Sequence, residues 1–298
     1  MPYRPERPVS IAAIWARRLG VFALALGTIA FLLHRLQVLS LADAIAVVLL
    51  SGALAAFVVG LSVIGFAMLW LVGARGGKAA FVGLLMAACV LGPVVYSISR
   101  YFQLPPIHDI STDVMSWPDW LEKPQIEKTW LQRVDFTGPE FRAMQADAYP
   151  KLTGRRYDGA IDRVLEALGN LATSRKWIIV ANQGTDFLAP GFTPPDAEAE
   201  NGENAETGII PIPQARPVIA DDMATASEPV VLLQFVWRSP ILGVTHDILV
   251  RLVEEEETTF VDLRAATRVG QHDLGTNAEL IQDFLHDLDV ALLGIAGG

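Results

Sequence analysis

Three long apolar runs occupy the first third of the chain and predict membrane-spanning helices at about 16–37, 44–73 and 79–99. A span needs ~20 predominantly apolar residues, and the predicted spans reach that length. The second run exceeds what a perpendicular span needs, so a tilted helix is expected there. Pro93 predicts a kink in the third. We therefore expect residues 1–105 to form a membrane anchor.

Beyond the anchor, apolar residues recur at helix and strand spacing. The predicted elements are a helix at 158–175, a strand at 177–180, strands at 230–238, 245–253 and 259–269, and a helix from Thr276. Thr276 and Glu279 have the spacing of a capping box at the start of that last helix. The order predicts an α+β domain over residues 106–298, with an antiparallel sheet of about four strands and flanking helices.

Two segments of this domain lack periodicity. Residues 108–149 contain three tryptophans among prolines and charges, which predicts an irregular segment wrapped over the core. Residues 189–229 hold seven prolines and eight acids with Arg216 as the sole base. That composition is typical of a disordered insertion, which a fold tolerates at small entropic cost.

Charge divides the chain in the same place. Residues 1–108 carry eight Lys/Arg against two acids, whereas residues 109–298 carry fifteen against thirty-one. Six of the eight cations would share one face of the membrane: Arg4, Arg7, Arg17, Arg18, Arg75 and Lys78. Since cationic loops stay in the cytoplasm, we expect a multi-pass inner-membrane protein with a cytoplasmic N-terminus and a periplasmic C-terminal domain. The alternative, signal-peptide cleavage near Asp43, is disfavoured because another apolar run follows at once.

The candidate chemistry lies in four polar stretches: 106–113, His246-Asp247, 264–268 and 270–277. If Arg251 pairs with Asp262 across a hairpin, Asp247 falls opposite Ala266, diagonally between Arg264 and Arg268. Two arginines beside one aspartate form either a structural ion network or a partly balanced anion site, and the sequence leaves both open.

We expect the HDISTD segment to meet the start of the last helix near Arg268, with Asp109 or Asp113 approaching Arg264 or Arg268. Asp273 or Thr276 is expected to cap that helix. The candidate polar cluster, structural or binding, comprises Asp109, Ser111, Asp113, Asp247, Arg264, Arg268, Asp273 and Asn277.

Several site classes are not expected. His108, His246 and His272 stand beside acids but match no compact zinc or calcium spacing, so no metal or cofactor is predicted. The serines lie in no nucleophile elbow. The domain is acidic and has no basic stripe, so nucleic acid is not an expected partner. The expected partners are the bilayer and a lipid or envelope protein.

Three motifs carry a family resemblance: PIHDISTD at 106–113, the Tyr149-Pro150 step, and RAATRVGQHDLGTNAELIQDFLHDLD at 264–289. Over about residues 106–293 the chain resembles the uncharacterised family called domain of unknown function 1499. Members of the family typically have an acidic pair where this chain has His246-Asp247, and Arg-Ser-x-Ser-Arg where it has residues 264–268. They also tend to have an arginine in place of Leu280. The resemblance implies a domain that is commonly membrane-attached in bacteria, and it implies no reaction.

Two functions follow from these residues. The first is a non-enzymatic domain that binds a lipid, an envelope component or a protein partner. The alternative is an extracytoplasmic hydrolase that uses Asp109 and Asp113 or Asp247 and Asp273 with a histidine. A hydrolase needs two such carboxylates about 5–9 Å apart in a cleft. The missing serines at 264–268 and the absence of a nucleophile motif favour the first.

Overall fold

A computed structural model describes residues 7–127, 129–131, 133, 138–185, 230–240 and 242–293. The helices are α1 (Ile11–Arg35), α2 (Leu41–Val72), α3 (Gly77–Gln103), α4 (Pro139–Ala148), α5 (Ile161–Ser174) and α6 (Thr276–Leu293). The strands are β1 (Asp109–Ser111), β2 (Arg155–Asp158), β3 (Ile178–Gln183), β4 (Val230–Arg238), β5 (Thr245–Glu254) and β6 (Thr258–Thr267). Three apolar helices followed by an antiparallel sheet with helices confirm the predicted α+β architecture. The predicted insertion at 189–229 lies outside the described residues.

The first three helices are each long and apolar enough to cross a membrane. Helix α1 begins earlier than the predicted span because Ser10 caps it, its hydroxyl accepting a hydrogen bond from the Ala13 amide at 3.3 Å. Helix α2 ends before Gly73, whose φ of +66° lies in the left-handed region that glycine adopts without strain. Helix α3 continues through Pro93 to Gln103.

Small side chains fill the interior of this three-helix bundle. Where α1 meets α3, a Cβ on Gly83 would lie 2.6 Å from the carbonyl carbon of Ala16, so the approach requires glycine. Helix α2 is tied to α1 by the Ser51 hydroxyl, which donates to the Ala23 carbonyl at 2.6 Å. Large apolar side chains such as Phe22 are exposed on the outside. Small residues inside and large apolar residues outside are the arrangement expected of helices that pack in lipid.

In the part of the chain that the structure describes, six strands form one antiparallel sheet in the order β1-β6-β5-β4-β3, and β2 also pairs with β6. Strand β6 is central because β5 borders one edge while β1 and β2 share the other. The sequence predicted only about four strands, and it predicted irregular chain where β1 and α4 lie. Strand β1 has three residues, all buried, so it offers no alternation to recognise. Helix α4 buries only Gln145, so it lacks an apolar face.

The two faces of the sheet differ. Helices α5 and α6 cover an apolar face on which Leu263 and Ile248 are fully buried, and Trp177 stacks on Phe284 with ring centroids 4.5 Å apart. Residues 117–122, which follow β1, cover part of the opposite face. There the Glu122 backbone exchanges two hydrogen bonds with the side chain of Gln234, at 2.9 and 2.7 Å.

Among the described residues, the C-terminal domain contacts the helical bundle at the end of α3 and at the α1–α2 turn. At the end of α3, Arg100 Nε donates to the Leu274 carbonyl at 2.8 Å, and Arg100 Nη2 pairs with Glu279 Oε1 at 2.6 Å. At the turn between α1 and α2, His34 Nε2 lies 3.0 Å from the Leu242 carbonyl oxygen. The β4–β5 turn therefore rests on the α1–α2 turn, and the start of α6 rests on the end of α3.

Candidate functional site

Four charged side chains of β5 and β6 lie on one face of the sheet: Asp247, Arg251, Asp262 and Arg264. Arg251 faces Asp262, and Asp247 faces Ala266, which is the register predicted from the sequence. Since side chains two apart in a strand share a face, Asp262, Arg264 and Asp247 all point away from α5 and α6. Each finds an oppositely charged partner on that face.

The most enclosed pair joins β1 to β6. Arg264 Nε and Nη2 donate to the two carboxylate oxygens of Asp109 at 3.0 and 2.9 Å. Arg264 Nη1 donates to the Pro118 carbonyl at 2.7 Å, and the guanidinium carbon lies 4.9 and 4.7 Å from the ring centroids of Trp117 and Trp120. A planar guanidinium stacks well on aromatic faces, so all sides of this cation are occupied. Sequence reasoning predicted the approach of Asp109 but not the two tryptophans.

Asp247 pairs with only one of its two predicted arginines. Arg268 Nε and Nη2 donate to Asp247 at 2.9 and 2.8 Å, and the Asp247 side chain is only 2% exposed. Arg264 turns the other way, because β1 places Asp109 opposite Ala266 on the far side of β6. Asp247 therefore lies between the two arginines in the predicted register, and its ion pair is with Arg268.

A third ion cluster lies towards the other end of β5. Arg251 Nη2 lies 2.5 Å from Asp262 and 2.7 Å from Asp113, and the Thr112 hydroxyl donates to Asp262 at 3.1 Å. Burial raises the pKa of Asp262 in spite of its arginine. For Asp113 partial burial works in the same direction, but hydrogen bonds from the Ser116 amide and Arg251 outweigh it and lower the pKa.

The start of α6 is held by Asp273 and Asn277. Asp273 accepts hydrogen bonds from the amides of Gly275 and Asn277, both at 2.8 Å, which is N-terminal capping. Burial nevertheless raises the pKa of Asp273. The predicted capping box was wrong, because Thr276 Oγ1 donates to the Asp273 carbonyl and Glu279 pairs with Arg100.

Asn277 also orients the ring of a buried histidine. Its Nδ2 donates to the His108 carbonyl at 2.9 Å, which leaves its Oδ1 to accept from His246 Nδ1 at 2.8 Å. His246 is therefore oriented with a proton on Nδ1. Burial lowers its pKa, outweighing the bond to Asn277 and the charge of Asp247.

The HDISTD segment meets the start of α6, as predicted. The Thr267 amide donates to the His108 carbonyl at 3.0 Å, and the Asp273 amide donates to the Ile107 carbonyl at 3.2 Å. Ser111 takes no part through its side chain: its hydroxyl is buried and has no partner among the described residues. Across those residues, no three His, Cys, Asp or Glu side chains come close enough together to hold a metal ion.

A pocket that the sequence did not predict lies where the domain meets the bundle. It has a volume of about 410 Å³ and opens between the α1–α2 turn, the β4–β5 turn and the end of β6. Its lining residues are His34, Gln37, Leu39, Ser40, Leu41, Glu127, Arg238, Gly243, Val244, Thr245, Arg268 and Val269. Of the predicted cluster, only Arg268 reaches it. Arg238 ends a strand and His34 ends an apolar run, and neither position signals a shared pocket in the sequence.

Comparisons with known proteins give one match. The sequence profile of the family described as "Protein of unknown function (DUF1499)" matches residues 137–288, about half of the chain. No curated protein and no solved structure matches. The matched region contains the whole sheet except β1, together with α4, α5 and most of α6. The chain belongs to the DUF1499 family.

Proposed function

We propose that this protein is a multi-pass inner-membrane protein of the cell envelope whose periplasmic domain binds a lipid, an envelope component or a protein partner without catalysing a reaction. Residues 1–105 are the anchor in this proposal, and residues 106–298 are the extracytoplasmic domain. The apolar helices support the anchor, and the Lys/Arg distribution supports the orientation. In this proposal the polar cluster stabilises the fold of the domain.

The observation that carries this proposal is that the candidate catalytic carboxylates are already engaged. Asp109 and Asp247 are each held by both arms of a guanidinium, Asp113 pairs with Arg251, and Asp273 caps α6. A general acid or base must reach its substrate, and none of the four carboxylates lines the pocket at the junction. An open pocket with engaged carboxylates elsewhere favours binding over the hydrolase alternative.

The orientation is tested with reporter fusions to the full chain. An alkaline phosphatase that folds only outside the cytoplasm should be active when fused after Gly298, since six of eight cations would lie on the cytoplasmic face. Fusion after Gln37 should also be active, and fusion after Gly76 should be inactive. Activity from a cytoplasm-only reporter at Gly298 would overturn the orientation and the count of three spans.

Binding is separated from catalysis by recovering the ligand. The full chain, purified in detergent, is incubated with phosphatidylethanolamine and phosphatidylglycerol, and the lipids are then analysed by mass spectrometry. We expect lipid to be retained and chemically unchanged. Accumulation of lysolipid or free headgroup that stops in Asp247→Asn shown to be folded, but continues in the exposed control Asp119→Asn, would replace the binding proposal with the hydrolase.

A further inference from the structure

We infer that the junction pocket binds the phosphodiester of a phosphate-bearing headgroup, with Arg238 as the charged partner of the phosphate. This inference deepens the proposed binding function and rests on it. It names the chemical class of the ligand and the side chain that recognises it.

The guanidinium of Arg238 is positioned but not neutralised. Its Nε donates to the Gly243 carbonyl at 2.8 Å, and its Nη2 donates to the His34 carbonyl at 3.2 Å. Both acceptors are uncharged, and among the described residues no carboxylate lies within 4.0 Å of Arg238. Its Nη1 makes no hydrogen bond to a described residue. A half-buried cation held in this way gains from an anion that accepts its remaining N–H groups.

The walls around Arg238 are held close together. His34 Nδ1 lies 3.1 Å from the Leu39 carbonyl and His34 Nε2 lies 3.0 Å from the Leu242 carbonyl, so one ring contacts both turns. A Cβ on Gly243 would lie 3.1 Å from Arg238 Nη2 and 3.3 Å from His34 Nε2. Because Gly243 has a φ of +68°, the β4–β5 turn brings its backbone close to the guanidinium without strain. The pocket is therefore preorganised, which lowers the entropic cost of binding.

The other charged residues that line the pocket indicate which net charge the ligand should carry. Arg268 adds donors, but Asp247 already balances its charge. Glu127 is an exposed carboxylate on the rim, and its amide is bonded to the Arg268 carbonyl at 3.3 Å. One unbalanced guanidinium beside one rim carboxylate fits a singly charged phosphodiester better than a doubly charged phosphate.

The position of the pocket favours a ligand presented by the membrane. One wall is the α1–α2 turn, which joins the ends of two candidate spans. Headgroups occupy the layer just outside the hydrocarbon core, at the level where such turns lie. A volume of about 410 Å³ is within the range of small-ligand sites. The same chemistry is offered by soluble glycerophosphodiesters, so the test must distinguish the two sources.

The test uses the full chain in detergent micelles and native mass spectrometry. Phosphatidylglycerol and phosphatidylethanolamine are the lipid probes, diacylglycerol is the probe without phosphate, and glycerophosphoglycerol is the soluble probe. We expect one phospholipid per chain and no retained diacylglycerol. Retention that soluble glycerophosphoglycerol displaces at equal concentration would identify a soluble ester as the ligand; retention that it leaves intact would identify the lipid.

Two variants assign the binding to the pocket. Arg238→Gln should weaken phospholipid binding about tenfold or more, as expected for loss of a charged hydrogen-bonding partner. Arg35→Gln is the matched control, because Arg35 is exposed at the end of α1 beside His34 and does not line the pocket; its binding should change less than about twofold. Arg238 also holds two turns, so Thr245→Leu provides a second test by filling the pocket while Arg238 stays.

The outcomes separate this inference from the proposed function. Unchanged phospholipid binding in folded Arg238→Gln and Thr245→Leu would overturn the inference, as would equal retention of diacylglycerol, and both would leave a binding protein in place. Turnover of the lipid would overturn the proposed function whichever residues hold the headgroup.

Discussion

Two adjacent residues of β6 are buried in environments that are stabilised by different interactions. Leu263 is fully buried against α5 and α6, and Arg264 is 5% exposed between two tryptophans and Asp109. The first face gains free energy from the apolar area removed from water, without directional requirements. The second must repay the desolvation of each charge with a partner of good geometry. The apolar face therefore depends on how completely its side chains fill space and exclude water, whereas the ion-paired face tolerates no unpaired member.

The difference assigns different tasks to the two faces. An apolar face fixes which side of a strand is buried, but a shift by two residues keeps the same side buried. The pairs Arg251–Asp262 and Arg268–Asp247 are satisfied together in the observed register. We expect the apolar face to supply most of the free energy of folding and the ion-paired face to select the register.

The largest expected effect comes from breaking one ion pair. Arg268→Ala leaves the Asp247 carboxylate buried without its partner and should lower the free energy of unfolding by about 3–5 kcal/mol. Urea unfolding of the full chain in micelles, followed by tryptophan fluorescence, measures it. Arg156→Ala is the control, because Arg156 forms a similar two-armed pair with Glu255 at the surface and its loss should leave the midpoint almost unchanged. An unaltered midpoint in Arg268→Ala would move this arginine from a structural to a ligand-binding role.

Leu263→Ala tests the apolar face of the same strand. The lost transfer energy and the cavity left between β6 and the helices should together cost about 3 kcal/mol. Ile178→Ala, at an exposed position of β3, should cost much less in the same urea titration. Equal losses for the two variants would mean that the helices do not pack tightly on this face.

Replacing both members of an ion pair should cost less than replacing one. In the double variant Arg268→Met, Asp247→Leu no charge is left unpaired, so we expect a loss within about 1 kcal/mol. A double-mutant cycle with the two single variants measures the coupling. If the double variant is as unstable as Arg268→Ala, the ion pair itself contributes to stability beyond avoiding an unpaired charge. That result would contradict the proposed difference between the two faces.

A pH dependence of stability is expected from His246. The fold lowers its pKa, so below the ordinary value of 6.5 the unfolded chain binds a proton that the folded chain does not. Stability should thus be complete above about pH 6.5 and fall as the pH is lowered, by at most about 1.4 kcal/mol per unit. Urea midpoints between about pH 7.5 and about pH 5.5 should show this slope in the wild type. His246→Gln should flatten it, and the exposed His286→Gln should retain it; a slope that survives in His246→Gln would assign it to another group.

The sequence predicted the three long strands because their apolar and polar side chains alternate. It predicted the β5–β6 register because Arg251 and Asp262 have opposite charges. The sequence did not predict β1. Its three residues are all buried, and they pair with Arg264, Ala265 and Ala266, more than 150 positions away. The same long-range pairing of β1 with β6 places Asp109, rather than another aspartate, beside Arg264.

The junction pocket was hidden for a related reason. His34 contacts a backbone carbonyl 208 positions away, and a carbonyl is present at every residue. A pattern of side chains reveals contacts between complementary side chains, but it cannot show which carbonyl a histidine will reach. Positions like Arg238, with neutral acceptors only, become visible once the chain is folded.

The two attachments between domain and bundle have a mechanical consequence. A domain on one tether swings and explores a wide volume, but this one is joined to α3 through Arg100 and to the α1–α2 turn through His34 and Arg238. Two separated footings remove most of the rotation that a single hinge permits. The domain is therefore held in one orientation relative to the three helices.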